Sequence, residues 1–288
     1  VYKFLQQFYS NIDYYIPDRY DEGYGVSKKG IEYAKSTGVS LIIILDCGIK
    51  AIEQIDYAKQ LGIDFIICDH HVPDDVLPNA VAILNPKRED DTYPFKHLCG
   101  CGVGFKFMQG FARSNGITFS QLQPMLDLCA VSVAADLVPV EGENRILAYH
   151  GLRQLNQSPS VGLKAIIDVC GMTGRQITMS DITFKIGPRI NASGRMECGK
   201  ESVDLLVEKD YMRALKVSEQ INEYNEQRKD IDKQMTDEAN QIVARLETQR
   251  HSSSIVLYDE GWKKGVIGIV ASRLTEIYFR PTIVLTRD

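Results

Sequence analysis

The chain has 288 residues, with 33 Lys and Arg against 38 Asp and Glu, a net charge of −5, and 44% hydrophobic and 25% charged residues. This is the make-up of a globular protein with room for more than one cored domain, and it excludes a disordered chain and any global attraction to polyanions. No apolar run approaches the roughly 20 residues of a membrane-spanning helix. The odd count of seven cysteines, mostly in apolar surroundings, suits reduced thiols in a cytoplasm better than a disulfide framework.

Val1, Phe4, Leu5 and Phe8 carry helical spacing from the first residue, with no initiating Met or capping residue ahead of them. The far end, Pro281 to Thr286, reads as a strand that simply stops, so both ends read as cut from a longer protein. A polar, Gly-punctuated loop, Asp18 to Gly25, leads into a helix predicted from about Ser27 to Ser36. The mainly apolar run Val39 to Leu45 ends in Asp46-Cys47-Gly48, and residues 51–61 form an amphipathic helix. Phe65 to Cys68, apolar without alternation, suits a strand buried on both faces of a parallel sheet. It ends in Asp69-His70-His71, and Pro73 stops any continuation. These pieces make one βαβ unit with a right-handed crossover, followed by a strand from Val81 to Leu84.

Helices dominate from there to about residue 180, with spans predicted at Val103 to Ser114, Leu122 to Ala135 and Glu143 to Gln157. The first is entered through a Gly-rich turn, Gly100 to Gly104, which lacks the lysine and hydroxyl of a phosphate-binding loop and is read as a device for close helix packing. Cys99 and Cys101 stand too close for the usual zinc-pair spacing. From about Asp210 to Glu247, Val217, Ile221, Tyr224, Arg228, Ile231 and Met235 step by four and three along one long helix. Fewer than three clean heptads favour a connecting helix over a coiled-coil dimer. A strand from Ser253 to Tyr258, a helix from Val266 to Tyr278 and the last strand open a second α/β piece. The fold class is therefore α/β: a parallel-sheet domain with a helical part, a long connecting helix and a partial second α/β domain.

In parallel sheets ligands bind beyond the carboxyl ends of the strands, where Asp46, Asp69, His70 and His71 fall. If the strands are neighbours, the two acids lie about 4.8 Å apart, which is costly unless a cation or proton sits between them. Asp136 ends a third apolar run, Leu128 to Ala135. These carboxylates with His70 make an oxygen and nitrogen set suited to Mn²⁺, Mg²⁺ or Zn²⁺. Arg189, Asn191, Ser193 and Arg195 lie within seven residues, in a stretch read as a loop shaped by Pro188 and Gly194. Guanidinium donors match phosphate oxygens bidentately, and Ser272 with Arg273 adds a further anion contact. Metal ligands beside a phosphate-binding stretch point to phosphoester hydrolysis.

Asp69-His70-His71, with Asp46-Cys47-Gly48 before it and Ala135-Asp136-Leu137-Val138-Pro139 after it, resembles the DHH phosphoesterase family. Tyr15 to Arg19 with Glu22 to Gly25, Pro188 to Met196, and Gly261-Trp262 with Gly265 to Leu274 resemble the family's exonucleases specific for single-stranded DNA, over essentially the whole chain. The resemblance implies a metal-dependent 5′→3′ exonuclease of DNA repair and recombination, with single-stranded DNA and replication or repair proteins as partners and no membrane. It implies that Asp46 bridges a pair of Mn²⁺ or Mg²⁺ ions and that His70 and Asp136 complete one of those sites. Asp69 orients the site from behind, His71 touches the scissile phosphate, and Arg189, Asn191 and Arg195 hold the DNA backbone or its 5′ phosphate. Residues 1–205 would be the phosphoesterase domain, 206–249 the connecting helix, and 250–288 the start of the DHH-associated domain.

The departures carry an expectation of their own. The family's Asp-x-Asp motif on a first strand, its late Gly-rich motif with Ser and Arg, and its oligonucleotide-binding domain are absent, and Lys263 stands where many relatives have His. These 288 residues alone are therefore expected to bind Mn²⁺ weakly and not to digest DNA. A phosphodiesterase of short oligonucleotides or cyclic dinucleotides, and a silent DNA-binding scaffold, are the competing readings.

Overall fold

The computed structural model describes residues 1–247 and 252–287. A single short helical turn, α1 (Tyr2–Leu5), and a helix, α2 (Lys28–Ser36), precede the sheet. Ser27 caps α2, its hydroxyl accepting from the Gly30 amide. Strand β1 (Leu41–Leu45), helix α3 (Ile52–Gln60) and strand β2 (Asp64–Cys68) form the βαβ unit that the apolar runs predict. β2 pairs in parallel with β1 and also with β3 (Ala82–Leu84), with Ile43 opposite Ile66 and Ile67 opposite Ile83.

Alternation along the strands splits their side chains between two cores. Ile44, Phe65 and Ile67 pack with Ile31 and Ile55 on the α2 and α3 side. Ile43, Ile66 and Cys68 pack on the other side with Phe4, Leu98, Val103, Phe105 and Cys129. β2 is thus covered on both faces, as its unbroken apolar run requires. β1 is at the edge of the described sheet and leaves Leu41 and Leu45 exposed.

The second core is built from α4 (Gly100–Ser114), α5 (Leu126–Ala135) and α6 (Gly142–Gln157), followed by α7 (Val161–Val169). The predicted Gly-rich turn is not a turn: Gly100 to Gly104 is the first turn of α4 itself. Cys99 caps it, its Sγ accepting from the Gly102 amide. The glycine at 100 is needed because an added Cβ would lie within contact distance of the Asp46 carboxylate and 2.8 Å from the Asp46 Cβ.

A short turn, α8 (Met179–Asp181), runs through a π-helical segment, Ile182–Ile186, into α9 (Gly187–Met196). The predicted loop at Pro188 to Arg195 is therefore a helix. Pro188 follows directly on the π-helical segment, so the helix changes its hydrogen-bond pattern just before the residue that looks like a breaker and runs on past it. After α10 (Lys200–Val207) comes the long helix α11 (Tyr211–Glu247). Its early residues Ala214 and Ile221 join the core of α5, α7 and α9, while Met235, Ala239 and Val243 join a separate core with Trp262, Val266 and Leu274. That separate core includes β4 (Ile255–Tyr258), α12 (Lys264–Tyr278) and β5 (Thr282–Leu285), the two strands pairing in parallel. Residues 248 and 249, read as the end of the connecting helix, and 250, 251 and 288 of the last segment lie outside the described residues.

Candidate metal centre

The end of β2 is held by one buried carboxylate. Asp69 is 1% exposed. Its Oδ2 accepts from the Ile49 amide at 3.0 Å, and its Oδ1 accepts from the amides of His70 and His71 at 2.7 and 3.2 Å. The same Oδ1 lies 2.7 Å from His71 Nδ1. Burial pushes the Asp69 carboxyl up, but the Ile49 amide, the His71 ring and the two following amides outweigh it and hold it below the ordinary range. Asp69 therefore ties the loop after β1 to the end of β2. It does not converge with Asp46 as a second metal-facing carboxylate, because its oxygens are spent on backbone and on His71.

Each imidazole has one nitrogen fixed from behind. His70 Nδ1 faces the Leu98 carbonyl at 3.1 Å, an acceptor only, so that nitrogen carries the proton and Nε2 presents a lone pair. His70 Nε2 lies 3.1 Å from Asp46 Oδ1 and 3.4 Å from Asp136 Oδ2. A proton taken up at Nε2 would be donated to Asp46, which raises the affinity of His70 for a proton against the effect of burial, and the charges of Asp46 and Asp136 add to it. A position that attracts a proton in this way also attracts a cation. His71, with Nδ1 on Asp69, turns its other nitrogen outward.

Asp46 reaches this point through a left-handed residue, φ 63°, its amide still paired with the Cys68 carbonyl at 2.8 Å. Its side chain lies over Gly100 at the N-terminus of α4 and keeps 53% of its exposure. Asp136 is the C-cap of α5 and is followed by another left-handed residue, Leu137, φ 52°. Ligand atoms of Asp46, His70 and His71 all lie within 4.8 Å of one another, with Asp136 joined through His70. Two carboxylates and two imidazoles form a donor set that fits a divalent cation of the Mn²⁺ or Mg²⁺ kind.

The predicted phosphate-binding residues divide differently. Ser193 is fully buried, its Oγ 2.6 Å from Ser202 Oγ, so it serves the packing of α9 and α10 and is not presented to a ligand. Arg189 donates to Asn222 Oδ1 and the Lys185 carbonyl at 2.8 and 2.9 Å, with 15% of its side chain exposed. Arg273 pairs at 2.7 Å with Asp232, an acid 2% exposed on α11, and Ser272 donates to the Gly268 carbonyl one turn back. Arg195 donates to the Gly265 carbonyl at 3.1 Å, while Tyr20 donates to the Arg195 carbonyl. Asn191 is exposed. Burial lowers the Arg195 guanidinium pKa, and the like charges of Arg19 and Arg228 lower it further. Arg19 and Arg228 were not singled out as charge-bearing groups of the site from sequence. The signal for Arg228 was its place as the lone polar residue in an apolar seam. Leu98 and Gly100, which set the orientation of His70 and the space for Asp46, had no sequence signal beyond the glycine itself.

Residues 1–133 match the DHH family, N-terminal domain. The chain is 39% identical over 284 residues to the single-stranded-DNA-specific exonuclease RecJ of Bacillus subtilis (strain 168), covering 99% of this chain and 35% of that protein. It is 36% identical over 286 residues to the protein of the same name from Escherichia coli (strain K12), covering 95% of this chain and 50% of the relative. The chain thus spans half or less of the length of these curated relatives. A crystal structure of exonuclease RecJ bound to manganese superposes with a TM-score of 0.81 at 29% identity, over 94% of this chain and 67% of that one. RecJ from Thermus thermophilus in complex with Mn²⁺ gives 0.77 at 27% identity, over 90% of this chain and 38% of that one. The first 133 residues thus match the family's N-terminal domain, and the likeness in sequence and fold to these exonucleases runs on through almost all the rest of the chain.

Proposed function

We propose that the chain carries the metal-binding part of a 5′→3′ exonuclease of DNA repair and recombination; the names of its RecJ relatives support the exonuclease activity and its specificity for single-stranded DNA. The observation that carries this reading is the convergence of Asp46, His70 and His71 within 4.8 Å at the carboxyl ends of two adjacent parallel strands, beside Asp136. Asp46, His70 and Asp136 would hold a Mn²⁺ or Mg²⁺ ion. Such an ion supplies charge neutralisation at a phosphoryl oxygen and a water of lowered pKa.

The chain's own residues do the rest. Leu98 keeps His70 in the tautomer that offers Nε2, and Asp69 does the same for His71. His71 then offers its outer nitrogen to an oxygen of the scissile phosphate. Of the arginines and their neighbours, Asn191 and Arg195 on α9, with Ser272 and the half-exposed Arg273 on α12, are the candidates for backbone phosphate contact. Arg189 and Ser193 support α9 instead. On this reading residues 1–205 form the phosphoesterase domain, 206–249 the connecting helix and 250–288 the opening of the DHH-associated domain.

The test is an assay of the full gene product on 5′-labelled single strands, duplexes and short oligonucleotides with Mn²⁺. Release of mononucleotides from the 5′ end of long single strands, lost with Asp46→Ala, is the expected result. Hydrolysis confined to short oligonucleotides or cyclic dinucleotides would overturn it, as would activity indifferent to Asp46.

A further inference from the structure

The second core contains a pair of thiols that the metal centre does not use. Cys101 sits in the first turn of α4 and is partly exposed, while Cys129 on α5 is 1% exposed. Their Sγ atoms are 3.9 Å apart, and no covalent bond joins them. A disulfide needs sulfurs about 2.05 Å apart, so a closing movement of roughly 2 Å separates the two states. The amides at a helix N-terminus favour a thiolate. The hydrogen bond between the two thiols holds Cys101 below the ordinary range and, with burial, raises Cys129 well above it. Cys101, the more exposed of the two and at the helix N-terminus, is the better placed to react first.

We propose that Cys101 and Cys129 are a peroxide-sensitive pair whose closure to a disulfide loosens the metal centre. The Cys101 thiolate attacks hydrogen peroxide, breaking the O–O bond, and becomes a sulfenic acid while hydroxide leaves. The Cys129 sulfur then attacks that sulfur, forming the S–S bond. The S–O bond breaks, and the Cys129 proton together with the departing hydroxyl leaves as water. The two thiols are oxidised by two electrons and the peroxide is reduced to water.

The link to the metal centre is steric. Gly100, one residue before Cys101, is the floor under the Asp46 carboxylate, with no room for even a methyl group. About two turns beyond Cys129, α5 ends in Asp136. Drawing the first turn of α4 toward α5 shifts that floor relative to Asp136, and these two acids flank His70 Nε2 at 3.1 and 3.4 Å. This coupling rests on the metal-site reading above, whereas the cross-link does not.

The experiment treats the reduced protein with stoichiometric hydrogen peroxide and follows it by peptide mass mapping and Mn²⁺ titration. The expected product joins the Cys101 and Cys129 peptides with the loss of two hydrogens, is reversed by dithiothreitol, and binds Mn²⁺ about tenfold more weakly, the lower range for disturbing the support of a metal ligand. Cys101→Ser should bind Mn²⁺ like the reduced parent and keep that affinity after peroxide, while Cys129→Ser should bind Mn²⁺ the same way before treatment and gain oxygen at Cys101 without forming a bridge. Oxidation that maps to other pairs or stops at sulfinic acids overturns the proposal, as does a Cys101–Cys129 bridge with unchanged Mn²⁺ affinity. A reduced protein that binds no Mn²⁺ overturns the coupling through the metal-site reading, while the mass map still decides the bridge.

Discussion

Gly100→Ala separates stability from metal binding. In an exposed helix interior, replacing glycine by alanine gains about 1 kcal/mol. At position 100 the new methyl group would meet the Asp46 carboxylate inside contact distance, with the Asp46 Cβ at 2.8 Å. Asp46 is 53% exposed and its carboxylate can rotate into solvent, but its Cβ does not move with that rotation, so the loop after β1 must also yield by a few tenths of an ångström, at a cost of about 1 kcal/mol that the helix gain offsets. The ion-free variant should therefore melt within a few degrees of the parent, while Mn²⁺ binds at least about tenfold more weakly. At a Mn²⁺ concentration of about 100 times the parent Kd, binding stabilises the parent by about 2.7 kcal/mol, and a tenfold weaker site leaves about 1.4 kcal/mol. Thermal unfolding with and without Mn²⁺ reads both quantities. Gly110→Ala on the same helix, where an added Cβ meets nothing within 4 Å, is the control: slightly more stable, with Mn²⁺ stabilisation unchanged. If Gly100→Ala kept the full Mn²⁺-induced stabilisation, the placement of Asp46 over α4 would be wrong.

Gly265→Ala should cost about 3 kcal/mol, because its Cβ would overlap the backbone carbonyl of Arg195, with the carbonyl carbon at 2.9 Å, and backbone cannot swing aside; a denaturation midpoint equal to the parent's would refute this. Asn144→Ala should destabilise by about 2–4 kcal/mol in urea unfolding, since this fully buried amide bonds the carbonyls of His97 and Pro139 and receives the Cys99 amide. Lys185 first, then the Thr178 hydroxyl and amide, hold the Asp181 carboxyl down at about 2, below its ordinary 3.8. A depressed carboxylate contributes stability that is whole above 3.8 and lost as the pH falls toward about 2, so Asp181→Asn should flatten the stability profile across that window and leave its shape near neutrality unchanged. A variant profile parallel to the parent's between those values would count against the contacts of Asp181 with Lys185 and Thr178.

Most of the frame was legible because it is local. The mainly apolar run Val39 to Leu45 and the unbroken one Phe65 to Cys68 marked β1 and β2, and the acid at each end marked the edge of the sheet. Two stretches misled for the same reason. Gly100 to Gly104 and Gly187 to Met196 contain residues that usually break helices, yet both are helical. In the first, glycine makes room for a neighbouring side chain; in the second, a π-helical segment just ahead of Pro188 lets the helix run past a residue that has no N–H.

By itself, the sequence determined which residues could ligate a cation and which elements carry them: Asp46 and His70 at strand ends, Asp136 at the end of an apolar helix. Only the tertiary structure decided where each polar group points. Asp69 faces Ile49 and His71 and not Asp46, Ser193 faces Ser202, and Arg273 faces Asp232, forty-one positions away. A buried polar side chain turns toward whichever partner satisfies it, because leaving it unpaired costs more than any local preference supplies. Several of those partners come from distant parts of the chain, so orientation at the centre is a property of packing, while the inventory of ligands is a property of sequence.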